Sequence, residues 1–450
     1  GASDDLVGLH VTDEGCEFVD ASALAGATVS ETVEHIEAET GLGADHTMVI
    51  GPAGENRVRF ASIMTSESRA FGRGGLGAVL GAKGVKFLTF DGDSRPEIDL
   101  HEASAEIHQE AAESGSPMKD AGTVSVAEFA NSRKALPTKY FAEREFADVS
   151  KIGPGAVIEH KYRKGTCSSC AFACKLPTRD EESGLETEGP EYETMMAFGS
   201  NQLVADFVAI MKSNELCDQY GMDTISCGDA IAAYLASEDA WGDTDLVHDL
   251  VEQIAFREGV GDTLAEGIDR AHEELGVENW TAKGMEFPAH DGRALNGQGL
   301  SYATSNRGAD HMYAEMYHLE YPLVSPKKAL DAEGVEGKAE PLITQENKNA
   351  VHDSGVLCKF STSQMHEERY EALFDASWET LMATGARIVD LERHFNNKRG
   401  KARAADEALP FELAGLSEEL SAYYELRGWN DDGIVPDSQV GGSATAPADD

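Results

Sequence analysis

Three cysteines within eight residues, Cys167, Cys170 and Cys174 in GTCSSCAFACK, constrain this chain more than any other feature of its sequence. The CxxCxxxC spacing keeps three thiolates within a turn or two of each other, able to close round a compact metal centre. A fold that completes such a centre must bring a fourth ligand from elsewhere. The candidates are Cys16, Cys217, Cys227 and Cys358, and the last stands in HDSGVLCKF, where a short Gly-containing loop lets the chain approach a cluster closely. On spacing alone an iron-sulfur cluster competes with a four-cysteine zinc site, whose usual pattern is two CxxC-like pairs. The odd total of seven clustered cysteines, with no signal-peptide pattern in the polar, acidic residues 1–6, points to reduced cytoplasmic thiols serving a metal.

At 450 residues the chain exceeds the size at which one hydrophobic core stops growing, so two or three domains are expected, with room to bury a large cofactor. No apolar run reaches the length of a bilayer-spanning helix, and a membrane partner is not expected. Acidic residues outnumber basic ones 81 to 37, a formal net charge of -44. Nucleic acids and anionic membranes are bound by neutralising phosphates with Lys and Arg, so both are excluded as partners. Self-repulsion of this size is relieved by concentrated salt, and the composition reads as halophilic.

Residues 1–91 alternate short apolar runs (6–11, 47–50, 85–90) with turn signals and one helical segment at 31–40, the pattern of an α/β or β-rich piece. Beyond residue 92 apolar residues recur three and four apart at 125–146, 194–215, 230–237, 247–257, 264–275 and 370–395, and that larger part is expected to be mostly α. Residues 91–122 and 325–338 look like connections, and the tail 438–450 lacks anything to bury and reads as disordered.

Two further constellations can carry chemistry. IGPAGENRVRFASIM and RAFGRGGLGAVLGAKGVK are rich in glycine and concentrate Arg69, Arg73, Lys83 and Lys86 in an otherwise acidic chain, a place for a phosphate-bearing ligand, although tight turns alone also explain the glycines. DQYGMD (218–223) and DSGVLC (353–358) each set an Asp five residues before a second polar or thiol residue; such carboxylates can accept hydrogen bonds from a heterocycle's amino groups. Helix capping is the competing account, with Ser226 and Asp229 as the capping residues after the first loop. Glu191 and Glu193 in GPEYET, and Arg307, Asp310 and His311 in SNRGADH, hold groups able to shuttle protons. The densest late basic run, NNKRGKAR at 396–403, is a weak docking candidate that a solvated loop explains as well.

Taken together and in order, IGPAGEN, RAFGRGGLGAVLGAKGVK, CxxCxxxC, GPEYET, DQYGMD, GLSYATSNRGADH and DSGVLCKF resemble the collinear motifs of the aldehyde ferredoxin oxidoreductase family. The resemblance implies a tungsten (or molybdenum) bis-pyranopterin and a 4Fe-4S cluster. It makes Cys167, Cys170, Cys174 and Cys358 the cluster ligands. Asp218, Asp223 and Asp353 become pterin-binding positions, and Arg73, Gly74, Gly75, Leu76 and Gly77 part of the cradle for one pterin and its phosphate. Glu193 and His311 become the proton-handling pair. The implied reaction oxidises a small aldehyde to a carboxylic acid, with water supplying the oxygen and electrons leaving through the cluster to ferredoxin; a homodimer is an assembly it allows.

The implied fold is α+β: the remainder of a β-rich pterin-binding N-terminal domain (1–92), then two mostly α-helical domains (93–290, with CxxCxxxC and the first DxxGxD loop, and 291–437, with the second pterin loop and fourth Cys), then the tail. Family members begin with further β-rich sequence, so on this reading Gly1 falls inside the first domain. The second loop departs from the pattern by placing Val356 where its sister has Gly221.

Overall fold

The computed structural model describes residues 1–93, 101–167, 170–321 and 330–440, and the chain divides into two compact units. The first comprises Gly1–Glu97, Ala112–Trp280 and Gly284–Ala289; the second comprises Ile98–Ala111, Thr281–Lys283 and His290–Asp450.

The first unit opens with a six-stranded mixed sheet. Its strands are β1 (Val7–Thr12), β2 (Gly15–Asp20), β3 (Thr47–Val49), β4 (Ile63–Thr65), β5 (Arg69–Phe71) and β6 (Val85–Asp91), in the order β2-β1-β6-β3-β4-β5. β1 runs parallel to β6, with Leu9 opposite Leu88, and the other neighbours are antiparallel. The apolar runs at 6–11, 47–50 and 85–90 became β1, β3 and β6. β2 carried no such signal because all six of its residues are exposed on the sheet edge. Gly8 is required where it stands, since a Cβ there would strike the ring of Phe87 on the adjacent strand. Helix α1 (Val29–Thr40) starts in a capping box, with Glu31 N–H donating to Thr28 Oγ1 at 3.3 Å and Thr28 N–H to Glu31 Oε2 at 2.8 Å. It lays Val33 and Ile36 on a core of Leu24, Val49 and Phe87.

Two short helices follow in the Gly-rich region, α2 (Pro52–Glu55) and α3 (Leu76–Ala82), and the remainder of the unit is largely helical. The expected helix at 125–146 stops at Ser132. Pro137 lacks an amide donor and cannot continue a helix. Residues 139–141 instead take positive φ and bond elsewhere: Lys139 N–H to Ser200 O at 3.0 Å and Tyr140 N–H to Asn201 O at 2.9 Å. Phe141 then stacks on Trp280, with ring centroids 4.7 Å apart. The run at 194–215 likewise divides into α4 (Tyr192–Phe198) and α5 (Phe207–Tyr220), the second capped by Asp206. After α5 comes α6 (Thr224–Glu238), buried on nearly every side. Its small residues permit this: a Cβ on Gly228 would come within 2.7 Å of Ala197 Cβ on α4.

The second unit is helical. Its core joins Leu300, Leu342, Val389, Tyr423 and Trp429, drawn from α7 (Asn296–Thr304), α8 (Ala339–Ser354), α9 (Trp378–Lys398), α10 (Leu416–Arg427) and the residues beyond it. α8 and α9 cross closely at Gly385, where any side chain would strike the Asn347 carbonyl. The expected 370–395 helix breaks at Asp375 (φ 50°), and Ser377 caps α9. Buried ion pairs bind the helices: Arg427 to Glu346 at 2.5 Å, and Arg393 to Asp406 at 2.7 Å, with Lys283 also reaching Asp406 at 3.0 Å.

The expected connection at 91–122 contains a helix, His101–Glu113, whose Glu106 and Glu110 pair with Arg369. Of the connection at 325–338, residues 325–329 lie outside the described residues. The tail reading meets a short helical turn at Asp437–Val440, and residues 441–450 lie outside the described residues. Among the described residues no helix is long and apolar enough to cross a membrane.

Candidate functional site

In the first unit the Gly-rich segment and the DQYGMD loop are joined by their backbones. Asp218 ends in the last turns of α5, Gly221 takes the left-handed conformation (φ 73°), and Asp223 caps α6 by accepting from Ile225 N–H at 3.1 Å. Ser62 N–H donates to Gly221 O at 2.8 Å and Asp223 N–H to Phe60 O at 3.0 Å. Gly51 lies so near the Tyr220 carbonyl that it could carry no side chain. The loop does cap a helix, but through Asp223 and not through the expected Ser226 and Asp229. Ser226 Oγ donates to Asp223 Oδ2 at 2.8 Å, and Asp229 lies buried within α6.

Arg73 reaches across to this loop, its Nε 3.1 Å from Asp223 Oδ2 and its Nη2 2.7 Å from Glu286 O. Gly74 (φ 99°) leaves open space where a Cβ would be. Gly75 (φ 73°) and Gly77 sit against the carbonyls of Arg59 and Ser62, and Leu76 begins α3. Of the four cations expected to meet a phosphate, Lys83 is exposed. Arg69 pairs with Glu188 at 2.6 Å, and buried Lys86 pairs with Glu55 and donates to Ala27 O at 2.7 Å. The charge concentration thus serves internal pairing first.

The cysteine loop is closed at its neck by the antiparallel bridge of Gly165 and Lys175. Inside it Cys170 N–H donates to Cys167 O at 3.1 Å, and Thr166 Oγ1 donates to the Cys170 carbonyl at 2.5 Å. No cysteine forms a disulfide among the described residues. Burial works against the Arg69 charge, but Glu188, Glu191 and the thiols of Cys167 and Cys174 outweigh it and hold its pKa up. Arg69 and Arg73, with three residues between them, thus meet different partners: Glu188 at 2.6 Å and Glu191 at 3.6 Å for the first, Asp223 at 3.1 Å for the second.

Asp218 accepts from Asn214 Nδ2 at 3.1 Å. Burial, then Glu215 and Glu188, pushes its carboxyl well above the ordinary range. Glu193 lies in the first turn of α4, and Ala289 N–H donates to its Oε2 at 2.6 Å. The neighbouring Glu191, raised by burial, accepts from Thr123 Oγ1 at 2.5 Å.

In the second unit Asp353 occupies the last turn of α8, paired with Lys359 at 2.7 Å and lying 3.9 Å from Arg307. Arg307 also pairs with Asp310 at 3.1 Å. Val356 adopts φ 52°, the left-handed conformation of Gly221 in the sister loop. The Cys358 carbonyl lies 3.0 Å from His352 Nε2. His311 neighbours His290, with ring centroids 5.4 Å apart, and His290 stacks on Tyr317 at 3.8 Å. Burial, then His311 and His318, holds His290 well below the usual imidazole range. Sequence reasoning missed His290, which carries no periodic or spacing signal in FPAHDGR. It also missed the Asp353–Lys359 pair, which the turn between them creates.

Comparison with known proteins assigns the chain. Residues 1–92 match the family model described as aldehyde ferredoxin oxidoreductase, N-terminal domain, and residues 100–440 match that for domains 2 and 3. The tungsten-containing aldehyde ferredoxin oxidoreductase of Thermococcus kodakarensis is 34% identical, the match covering 97% of this chain and 79% of that protein. The Pyrococcus furiosus protein of the same description is 33% identical over 98% of this chain and 80% of that one. The WOR-like subunit of the aliphatic sulfonate oxidoreductase of P. furiosus is 28% identical over 81% of this chain and 61% of that protein. In fold, the chain is similar to the active-site complex of benzoyl coenzyme A reductase, with a TM-score of 0.80 at 21% identity over 98% of this chain and 80% of that one. Matched along nearly its whole length, the chain belongs to the aldehyde ferredoxin oxidoreductase family.

Proposed function

We propose that this protein oxidises an aldehyde to a carboxylic acid at a tungsten (or molybdenum) bis-pyranopterin and passes the electrons through a 4Fe-4S cluster to ferredoxin, in the cytoplasm. One observation carries the reading beyond family membership: Arg73 of the Gly-rich segment pairs with Asp223 of the DQYGMD loop at 3.1 Å, next to Gly74, where the backbone carries no side chain and the space beside it is open.

The residues suit such groups. Cys167, Cys170 and Cys174 are free thiols of one loop, and with Cys358 they are the proposed cluster ligands. The bare backbone at Gly74 gives a flat heterocycle access, and Asp218, its carboxyl pushed above the ordinary range by burial, offers a polar group to a pterin edge. Asp223 and Asp353 are the proposed acceptors for pterin amino groups, with Arg73, Gly74, Gly75, Leu76 and Gly77 forming the cradle. When bound, the metal takes up the two electrons of the oxidation and the cluster relays them singly.

The chain's own part is orientation and proton handling. Ala289 N–H holds one oxygen of Glu193, and that carboxylate takes a proton from the water adding to the aldehyde carbon. His311 donates a hydrogen bond to the aldehyde oxygen. For each acid formed, one water is consumed, and two protons and two electrons leave. A tungsten-pterin oxidoreductase acting on another substrate is the second reading, favoured by the 28% identity to the sulfonate enzyme's subunit.

Metal analysis of anaerobically purified protein tests the proposal. Tungsten or molybdenum with about four irons per chain is expected, with the irons lost in Cys167→Ser. Zinc near one per chain, with neither iron nor tungsten, overturns it, and turnover of a substrate panel without aldehydes selects the second reading.

A further inference from the structure

Beside the neck of the cysteine loop lies an open recess of about 460 Å³. Its lining includes Lys119, Lys161, Arg163 and Lys164, with one acid, Asp120. Four cations against one carboxylate is the reverse of the chain's balance of 37 basic to 81 acidic residues. Lys119 donates to Ala112 O at 2.8 Å, and Lys161 donates to Lys119 O at 2.7 Å and Asp120 O at 3.2 Å. Four cations gathered in one recess make a local positive patch on an otherwise acidic chain. Two large side chains stand exposed among these cations, Ile158 at 55% and Tyr162 at 37%, the Tyr162 hydroxyl donating to Glu186 at 3.0 Å and its ring lying under the Arg179 guanidinium. An apolar centre inside a charged rim is the anatomy of a protein interface.

The segment is tied to the cysteines. Lys161 bridges Thr178 and Gly165 bridges Lys175, so 161–165 lies antiparallel to the strand leaving the loop, and Cys167 follows two residues later. The other basic run, 396–403, offers less: Arg403 pairs with Glu407 at 2.8 Å and donates to Ser417 and Ser421.

We propose that the Lys119–Lys161–Arg163–Lys164 recess is the docking surface for an acidic one-electron carrier protein of ferredoxin type, seated on Ile158 and Tyr162 against the cysteine loop. The proposal rests on the reading above and adds the face at which electrons leave. On an acidic enzyme, an acidic carrier must be steered to a local positive patch, because the remainder of the surface repels it.

The test uses the metal-loaded full chain with Arg163→Glu and Lys164→Glu together, and a control with Lys398→Glu and Arg399→Glu that changes net charge equally. Aldehyde-dependent reduction is followed with a purified acidic ferredoxin and with benzyl viologen, at the lowest salt that preserves the fold and again at high salt. The expected result is a KM for ferredoxin raised about ten-fold or more at low salt in the recess variant alone, narrowing as salt screens the charges, with the viologen rate unchanged. An unchanged ferredoxin KM, an equal rise in the control, or parallel loss of both activities overturns it. Calorimetric binding of the same ferredoxin to native and variant proteins reads the surface without turnover. If native protein reduces neither acceptor, the functional reading fails, and the binding difference still decides the surface.

Discussion

Asp229 carries a consequence of burial that can be measured directly. It lies fully buried on α6, with Oδ1 accepting from Asn201 Nδ2 at 2.8 Å. Burial first, then the charge of Glu286, raises its pKa well above the ordinary carboxyl value. The folded state therefore holds a proton that the unfolded chain releases, so stability falls as pH rises from the unfolded pKa toward the folded one. Asp229→Asn keeps the acceptor for Asn201 and removes that proton dependence. Its advantage over the native protein in urea denaturation is expected to grow from about pH 5 to about pH 8, by roughly 1.4 kcal/mol for each pH unit between the unfolded and folded pKa values. A difference independent of pH would refute the assignment. Asp229 was read from sequence as a cap because Asp and Ser are common there. Its burial depends on Gly228 admitting Ala197, a pairing no local pattern announces.

At the scale of elements, the two related loops test how far a turn tolerates the wrong residue. Gly221 and Val356 both take left-handed backbone angles, φ 73° and 52°. A β-branched residue there is strained by about 1–2 kcal/mol, and Val356 is 85% exposed, so little packing offsets the strain. Val356→Gly is expected to raise stability by about 1 kcal/mol, after the entropy cost of glycine, with the second unit's circular dichroism unchanged. A loss of stability would refute the assignment of strain to Val356. The same scale explains the helices misjudged in length. Apolar residues three and four apart continue through 125–146 and 370–395, yet the left-handed Lys134 and Asp375 end the helices, Pro137 keeps the first from resuming, and the later apolar residues pack from loops or from a new helix.

For the whole molecule, a net charge of -44 should make stability depend on ionic strength. Thermal unfolding followed from low to about molar salt is expected to shift upward by several degrees or more, most steeply where the Debye length falls below about 10 Å. A flat profile would remove the halophilic reading. The amino-acid sequence by itself determined the family, through motifs whose order along the chain needs no third dimension, and the strands and helices whose apolar periodicity one face buries. Its cysteine spacing also determined that three thiols share one loop. Only the tertiary structure decided that Arg69 pairs with Glu188 while Arg73 pairs with Asp223, that Asp223 rather than Ser226 caps its helix, and that the cations near the Gly-rich loops are largely consumed by internal pairs. It also decided that a basic recess adjoins the cysteine loop. These are contacts between residues distant in sequence, set by how backbones without side chains at Gly51, Gly75 and Gly228 let segments approach, and such approach leaves no periodic trace in the chain.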